Sequence, residues 1–202
     1  MAQKGQWFSI RDEALKNSGK PLDQNKLQEL ALRYVGRYAT TRHKLKVYLF
    51  QKLRERGWSS DQPDSLERAE SAEPSMSAEK VVEDLVERFA DLGYIDDALF
   101  AKNRAAALTN RGYGKRRVSQ ALYQAGIAEG DDRQALDLSD VRQWDAARTY
   151  ARKKSIGPFA AEPADQDKCR KQLQAFIRAG HGFDIASRFV FAKPGEEIEE
   201  DI

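Results

Sequence analysis

The stretch Gly93-Tyr-Ile-Asp-Asp-Ala-Leu-Phe-Ala101 decides how this chain folds. A glycine in this setting ends one helix, and Asp96 can start the next, because aspartate is a preferred N-cap residue. A second break, Arg111-Gly-Tyr-Gly-Lys-Arg-Arg-Val118, then opens a basic helix. Helix, turn and helix together predict a small helical building block, which is more typical of a binding protein than of an enzyme.

Apolar residues recur at helical spacing on both sides of that stretch, which predicts a series of amphipathic helices. Thr40 or Thr41 is expected to cap the second of them, and Gly57 to end it. Another helix is expected to start at Ser139, with Val141 facing inward. The residues expected in the core are Leu27, Leu30, Ala31, Tyr34, Val35, Tyr38, Leu45, Tyr48, Leu49, Leu53, Val82, Leu85, Val86, Phe89, Leu92, Leu99, Phe100, Leu108, Val118, Ala121, Leu122, Trp144, Ala147, Leu173, Phe176 and Ile177.

The same theme occurs three times: a helix with an arginine near its end, a short break, and a helix with paired apolar residues. A single helical hairpin cannot bury its apolar face alone, so we predict an all-α fold of tandem three-helix modules in an elongated, curved array. The expected parts are a flexible arm (residues 1–22), a first, incomplete or extended module (23–58), an acidic linker (59–77), a second module (78–128), a third module (129–192) and an acidic tail (193–202).

Charge is strongly segregated, although the formal net charge is only +2. Residues 31–57 carry eight basic residues against one acidic residue, and residues 102–126 carry six basic residues and no acid. Residues 59–79 between them carry six acids against one arginine. Blocks of alternating sign indicate surfaces with electrostatic roles.

Composition argues against several classes of protein. The lone Cys169 excludes an internal disulfide and is expected to pack as a small apolar group. No apolar run is long enough for a membrane helix, and residues 1–18 lack the apolar core of a signal peptide, so we expect a soluble, cytoplasmic protein. His43 and His181 have too few partners for a catalytic or metal site. No enzymatic activity is therefore expected.

The middle of the chain resembles the RecX family of bacterial regulatory proteins. The match rests on Gly93, Tyr94, Asp96, Asp97, Phe100 and Ala101, followed by Gly112, Gly114, Arg117-Val118 and Gly126-Ile127. It extends more loosely over residues 25–190. The chain departs from the family pattern at Ala98, where arginine is common, at Lys115, where proline often stands, and in a longer second helix.

This resemblance implies an all-helical protein that binds the RecA recombinase filament on single-stranded DNA. It implies that the protein restrains ATP hydrolysis, strand exchange and co-protease activity, without a cofactor. We expect a monomer, since nothing in the sequence indicates a coiled-coil seam. The residues that carry this match, which we call the signature residues, are expected to stabilise the fold. Asp96 and Asp97, for example, suit helix capping better than metal binding.

Three basic surfaces are candidates for contact with the recombinase or with DNA phosphates. The preferred one lies around the glycine-opened helix start and contains Arg111, Lys115, Arg116 and Arg117, because helix N-termini attract anions. The alternative is a solvated basic helix. The other two surfaces, for which contact and simple solvation both stay open, contain Arg37, Arg42, Lys44 and Lys46, and Arg148, Arg152, Lys153 and Lys154.

Two alternatives accompany these predictions. The chain could instead be an independent DNA-binding protein whose basic helices follow the phosphate backbone, and its affinity for DNA would then depend strongly on salt.

The acidic tail is expected mainly to aid solubility. The other possibility is that it screens the basic faces.

Overall fold

The computed structural model describes residues 20–59 and 77–199. Within these residues the chain is all-helical apart from one isolated bridge between Leu22 and Trp58. It divides into two compact units, Met1–Ile95 and Asp96–Ile202. The predicted arm and linker fall mostly outside the described residues.

The described part of the first unit contains three helices: α1 (Gln24–Val35), α2 (Arg42–Arg56) and α3 (Ala78–Asp91). Their apolar faces meet in one core that includes Leu27, Leu45, Leu49 and Phe89. Leu22, which was predicted to lie in the flexible arm, is fully buried in this core. Its amide donates to the Gly57 carbonyl at 2.9 Å, so the chain is already fixed before α1 begins.

The second unit contains two groups of helices, each with its own core. The first group is α4 (Asp97–Asn110), α5 (Lys115–Gln124) and α6 (Arg133–Val141), around Ala101, Ala105, Leu108, Val118 and Leu122. The second group is α7 (Gln143–Lys154), a short 3-10 turn (Gly157–Phe159), α8 (Gln166–Arg178) and α9 (Phe183–Phe191), around Ala147, Ala151, Phe176, Ala186 and Phe189. Cys169 packs at the edge of this last core.

The division into modules differs from the sequence-based prediction at one helix. Helix α3 packs with α1 and α2, and Ile95 joins the same core, so the first module is complete and ends at about residue 95. The predicted boundary at residue 78 is wrong because α3 follows a long linker in sequence, whereas its apolar residues meet those of α2. The second module accordingly begins at Asp96 and includes α6, which lies beyond the predicted end at residue 128.

The predicted helix starts are mostly confirmed. The Asp96 carboxylate accepts from the Leu99 amide at 2.7 Å, and the Thr41 hydroxyl accepts from the Lys44 amide at 3.1 Å. Gly57, Gly93 and Gly126 all adopt positive φ after their helices. The predicted start at Ser139 is wrong: Ser139 lies inside α6, buried, with its hydroxyl 3.3 Å from that of Thr109.

Most of the predicted core is buried or half-buried, but some residues are not. Tyr38, Leu92, Leu99 and Val141 are each more than half exposed, and Val141 is 83% exposed. Tyr38 and Leu92 lie just beyond the ends of α1 and α3, where the helical periodicity no longer holds. Val141 ends α6, and the break at Arg142 separates it from the inward face of α7.

Candidate partner and nucleic-acid interface

A basic groove of about 740 Å³ lies on the second unit, between α5, α7 and α8. Five cationic side chains line it: Arg117, Lys154, Lys168, Lys171 and Arg178. Tyr113, Tyr150, Ile156, Gln172, Ala175 and Ala179 complete the lining. Within the described residues no aspartate or glutamate belongs to this lining, so its positive charge is not balanced locally. We call this feature the basic groove.

Helix α8 supplies one wall of the basic groove. Lys168, Lys171, Ala175 and Arg178 follow one another at spacings of three or four residues, which places them on one face of a helix. The opposite face carries Phe176 into the core. Helix α8 starts at Asp165, whose carboxylate accepts from the Lys168 amide at 2.7 Å.

The opposite side of the groove depends on close backbone contact between the loops before α5 and α9. The Gly114 amide donates to the Ala179 carbonyl at 3.0 Å, and the Arg116 amide donates to the Gly180 carbonyl at 3.2 Å. A Cβ atom on Gly114 would lie 2.4 Å from the Gly180 carbonyl group. Glycine is therefore required at this position, and the contact brings Arg117 to the groove formed by α7 and α8.

Tyr150 forms part of the groove floor. Its hydroxyl donates to the Ala175 carbonyl at 3.2 Å, and its ring packs edge-on against Phe176 with centroids 4.8 Å apart. Burial raises the pKa of Tyr150 above 10.0, although the nearby charge of Arg178 opposes the shift. The phenol is therefore neutral at physiological pH, and it can contribute hydrogen bonding and an aromatic surface to the groove.

The preferred basic surface is divided by the fold. Arg117 lies in the basic groove, whereas Lys115 and Arg116 line a smaller pocket beside Gly182 and His181. Lys115 also forms an ion pair with Asp140 at 2.9 Å. The Arg111 guanidinium lies 5.6 Å from the centre of the Tyr113 ring, so it borders the groove without lining it.

The 148–154 surface is also divided, because α7 exposes two faces. Lys154 lines the basic groove, and Lys153 donates to the Arg111 carbonyl at 3.1 Å. Arg148 and Arg152 face a different cleft, on the side of α9. The two ends of this predicted surface are thus not one binding site.

The predicted surface of the first unit is partly neutralised by α3. Lys46 forms an ion pair with Glu83 at 2.8 Å, and Arg42 lies 3.6 Å from the Glu87 carboxylate. The Lys46 contact lowers the pKa of Glu83 through their hydrogen bond. Lys44 is half-buried near the start of α2, and Arg37 is exposed beyond α1. Charge is therefore more concentrated in the basic groove than on this surface.

Sequence reasoning missed most of the groove residues. The site residues predicted from the sequence do not include Tyr113, Tyr150, Lys168, Lys171, Gln172 or Arg178. The available signal was the helical spacing of Lys168, Lys171 and Arg178, which places three cations on one face. Acidic residues in the same segment, such as Asp165 and Asp167, lower its net charge, so the segment does not stand out as basic in the sequence.

Two further features bear on the class of site. In the described ranges, no group of three or more His, Cys, Asp and Glu side chains is placed to hold a metal ion. A search of the same ranges found no helix with the length and apolar character needed to span a membrane.

Asp97, a signature residue, is buried in the first turn of α4 and supports the helix start there.

Residues 96–136 match the family model of the second three-helix domain of RecX. This match begins at Asp96, where the second unit begins, and covers α4, α5 and the start of α6. Crystal structures of RecX proteins share the fold. RecX from Lactobacillus salivarius has a TM-score of 0.59 at 19% identity, covering 83% of this chain and 94% of that chain. Another regulatory protein RecX has a TM-score of 0.53 at 19% identity, covering 91% and 77%.

Curated relatives are similar over much of the chain. The regulatory protein RecX of Myxococcus xanthus strain DK1622 is 32% identical over 171 residues, which cover 83% of this chain and 86% of the relative. That of Agrobacterium fabrum strain C58 is 30% identical over 106 residues, covering 52% and 56%. Sequence similarity over most of both chains, the matched three-helix domain and the shared helical fold lead to one conclusion: this chain belongs to the RecX family of regulatory proteins.

Proposed function

We propose that this protein binds the RecA recombinase filament on single-stranded DNA and mainly inhibits its ATPase, strand-exchange and co-protease activities. Membership of the RecX family supports the regulatory role. The basic groove is the observation that carries the proposed contact, because it gathers five cations without a lining acid among the described residues. We expect the protein to act as a monomer in the cytoplasm.

The electrostatics of the groove favour an anionic partner. Like charges within a Debye length, about 8 Å at physiological ionic strength, repel one another and raise the local positive potential. The two arginines in this set, Arg117 and Arg178, can grip a carboxylate or a phosphate with two parallel hydrogen bonds. An acidic surface of a protein filament or the phosphates of its DNA would relieve the repulsion.

The same groove is better suited to binding than to catalysis. The Tyr150 hydroxyl is hydrogen-bonded to a main-chain carbonyl, and the pKa of Tyr150 is raised rather than lowered. Among the described residues, the lining contains no Ser, Thr, Cys, His, Asp or Glu side chain, so it offers no nucleophile paired with a general base. We therefore expect no enzymatic activity of its own and no need for a cofactor.

The test is ATP hydrolysis by the cognate recombinase on single-stranded DNA, titrated with this protein at 150 mM salt. The proposal predicts inhibition at amounts below one protein per recombinase subunit, together with weak binding to bare DNA. Unchanged hydrolysis across the titration would contradict it.

A second candidate function is DNA binding independent of the recombinase. The groove favours it too, since phosphates suit its cations and Tyr113 offers an aromatic ring beside them. Binding through six to ten phosphate contacts should weaken by about 10³–10⁵ between 50 and 200 mM salt. Salt-sensitive binding to bare DNA with no effect on hydrolysis would favour this function over the first.

A further inference from the structure

The first seven residues of the acidic tail, 193–199, lie against the second unit along α7 and α9. The Gly195 amide donates to the Pro158 carbonyl at 3.0 Å, which fixes the start of the segment. Three residues later, Ile198 is half-buried against the core of α7–α9. The tail segment therefore has two separate anchors, one polar and one apolar.

These anchors place the tail in a cleft that also contains arginines. Arg148 and Arg152 of α7 line this cleft of about 440 Å³ together with Phe159, Phe189 and tail residues 195–199. At its edge, the Arg188 guanidinium donates to the Glu199 carbonyl at 3.4 Å. Glu196, Glu197 and Glu199 therefore line the same cleft as Arg148 and Arg152, and the Glu196 carboxylate also accepts from the Lys193 amide at 2.6 Å. We call this feature the tail cleft.

Two of the three arginines stack on aromatic rings, and the third lies in an exposed ion pair. The Arg152 guanidinium lies 5.0 Å from the centre of the Phe159 ring, and that of Arg188 lies 5.7 Å from the Trp144 ring. Stacking on an aromatic ring restricts the orientation of a guanidinium. Arg148 lies 3.6 Å from Asp145 in an exposed pair, and such pairs are weak and easily exchanged.

Solubility alone does not explain an anchored tail. A free acidic segment would solubilise the protein equally well, and holding the segment in place costs conformational entropy. Anchoring does achieve something else: it keeps Glu196, Glu197 and Glu199 in the cleft that Arg148 and Arg152 line. Acidic groups in the same cleft lower the positive potential of the arginines.

We propose that the tail is a built-in competitor for nucleic-acid phosphates at Arg148, Arg152 and Arg188. A phosphate backbone and the sequence Glu-Glu-Ile-Glu (residues 196–199) present the same charge to the same arginines, so each excludes the other. Displacement of the tail would uncover a second basic surface, on the side of α7 away from the basic groove. This inference concerns DNA phosphates alone and goes beyond the proposed action on the recombinase.

The experiment measures binding of the full-length protein to fluorescein-labelled oligo-dT by anisotropy, at 50 and 200 mM salt. The test variant carries Glu196→Gln, Glu197→Gln and Glu199→Gln, which removes charge and keeps the Ile198 anchor. If the three arginines each gain one phosphate, the slope of log K against log salt steepens by about 2. Affinity at 50 mM salt should rise by about tenfold or more.

A matched control separates the tail cleft from net charge. Glu79→Gln, Glu129→Gln and Asp137→Asn remove three exposed acids elsewhere and change the net charge equally. This control should leave the slope unchanged. Adding Arg148→Gln and Arg152→Gln to the tail variant should remove most of the gain in affinity, whereas the same two changes in the wild type should have little effect.

A variant that retains the charge tests the anchor. Ile198→Ser keeps all tail carboxylates but removes the apolar contact with the core, so it should also raise affinity for oligo-dT, by less than the triple variant. The proposal is overturned if the triple variant binds no more tightly than the wild type, or if the net-charge control gains as much. The anisotropy assay contains no recombinase. A failure of this proposal can therefore be distinguished from a failure of the proposed function in the ATPase assay.

Discussion

The backbone of Gly114 lies directly against the backbone of Gly180, so closely that a Cβ on Gly114 would meet the Gly180 carbonyl carbon and oxygen at 2.4 Å. Gly180 in turn has φ near +95°, and a Cβ there would lie 2.4 Å from the Arg117 amide nitrogen. This reciprocal contact joins the start of α5 to the end of α8. It is the reason that Arg117 and Arg178, far apart in sequence, line the same groove.

Replacing Gly114 with alanine should destabilise the second unit, because backbone atoms cannot move aside as a flexible side chain can. Overpacking of this kind costs about 1–3 kcal/mol. Thermal unfolding followed by circular dichroism measures the loss. Gly182→Ala is the matched control, since a Cβ at Gly182 meets nothing within 4 Å and its φ is −68°. Equal melting temperatures for both variants would contradict the close contact.

Adjacent arginines provide a test of the groove itself. Arg117 lines the basic groove and Arg116 does not, although both are exposed in the first turn of α5. Arg117→Glu should therefore weaken inhibition of the recombinase several-fold, while Arg116→Glu should have a smaller effect with the same change of charge. Equal effects of the two charge reversals would mean that inhibition of the recombinase depends on overall charge and not on the groove.

His181 should make stability depend on pH. It is 2% exposed, and its Nε2 lies 3.0 Å from the Gly112 carbonyl oxygen. Burial lowers the pKa of His181 below its ordinary value of 6.5, although the hydrogen bond to Gly112 opposes the shift. Below pH 6.5 the unfolded chain binds this proton and the folded protein does not, so stability falls as the pH drops, until the folded-state pKa is reached.

Urea unfolding at pH 8.0 and pH 5.5 measures this dependence. His181→Gln, whose amide can still donate to the Gly112 carbonyl, should lose less stability than the wild type between the two pH values. His43→Gln is the control, because His43 is exposed on the first unit. A wild-type pH dependence fully retained in His181→Gln would show that other groups cause it.

The cap at Asp96 should contribute measurably to the second unit. Its carboxylate accepts from the Leu99 amide at 2.7 Å, and losing such a cap costs about 1 kcal/mol. Asp96→Ala should therefore lower the melting temperature by about 4–8 °C for a unit of roughly 100 residues. Asp96→Asn, which retains a capping oxygen, should restore most of that loss. A melting temperature unchanged in Asp96→Ala would contradict the capping role.

The local features of the fold were predictable from the sequence because they depend on neighbouring residues. Asp96 caps α4 as expected, and Gly93 ends the preceding turn with positive φ, since both effects act within a few residues. The assignment of α3 failed for the opposite reason. Its apolar face fits either neighbouring module by pattern alone, and the contact with Leu45 and Leu49 depends on packing across the linker.

The candidate site was predictable only in part, for a similar reason. Arg117 and Lys154 were recognised because each lies in a locally basic stretch. Lys171 and Arg178 come from a stretch with mixed charge, and they become part of a site only when α8 lies beside α5. Sequence also grouped Arg152 with Lys154, whereas the turn of α7 directs them to different sides.

The most direct test of the account is charge reversal in the basic groove, measured by inhibition of single-stranded-DNA-dependent ATP hydrolysis by the recombinase. Lys168→Glu with Lys171→Glu changes two exposed groove residues of α8, and Lys102→Glu with Arg104→Glu makes the same change on exposed α4 residues outside the groove. We predict that the groove variant loses at least tenfold in inhibitory potency at an unchanged melting temperature, whereas the α4 variant remains close to the wild type. Full inhibition by the groove variant would contradict it.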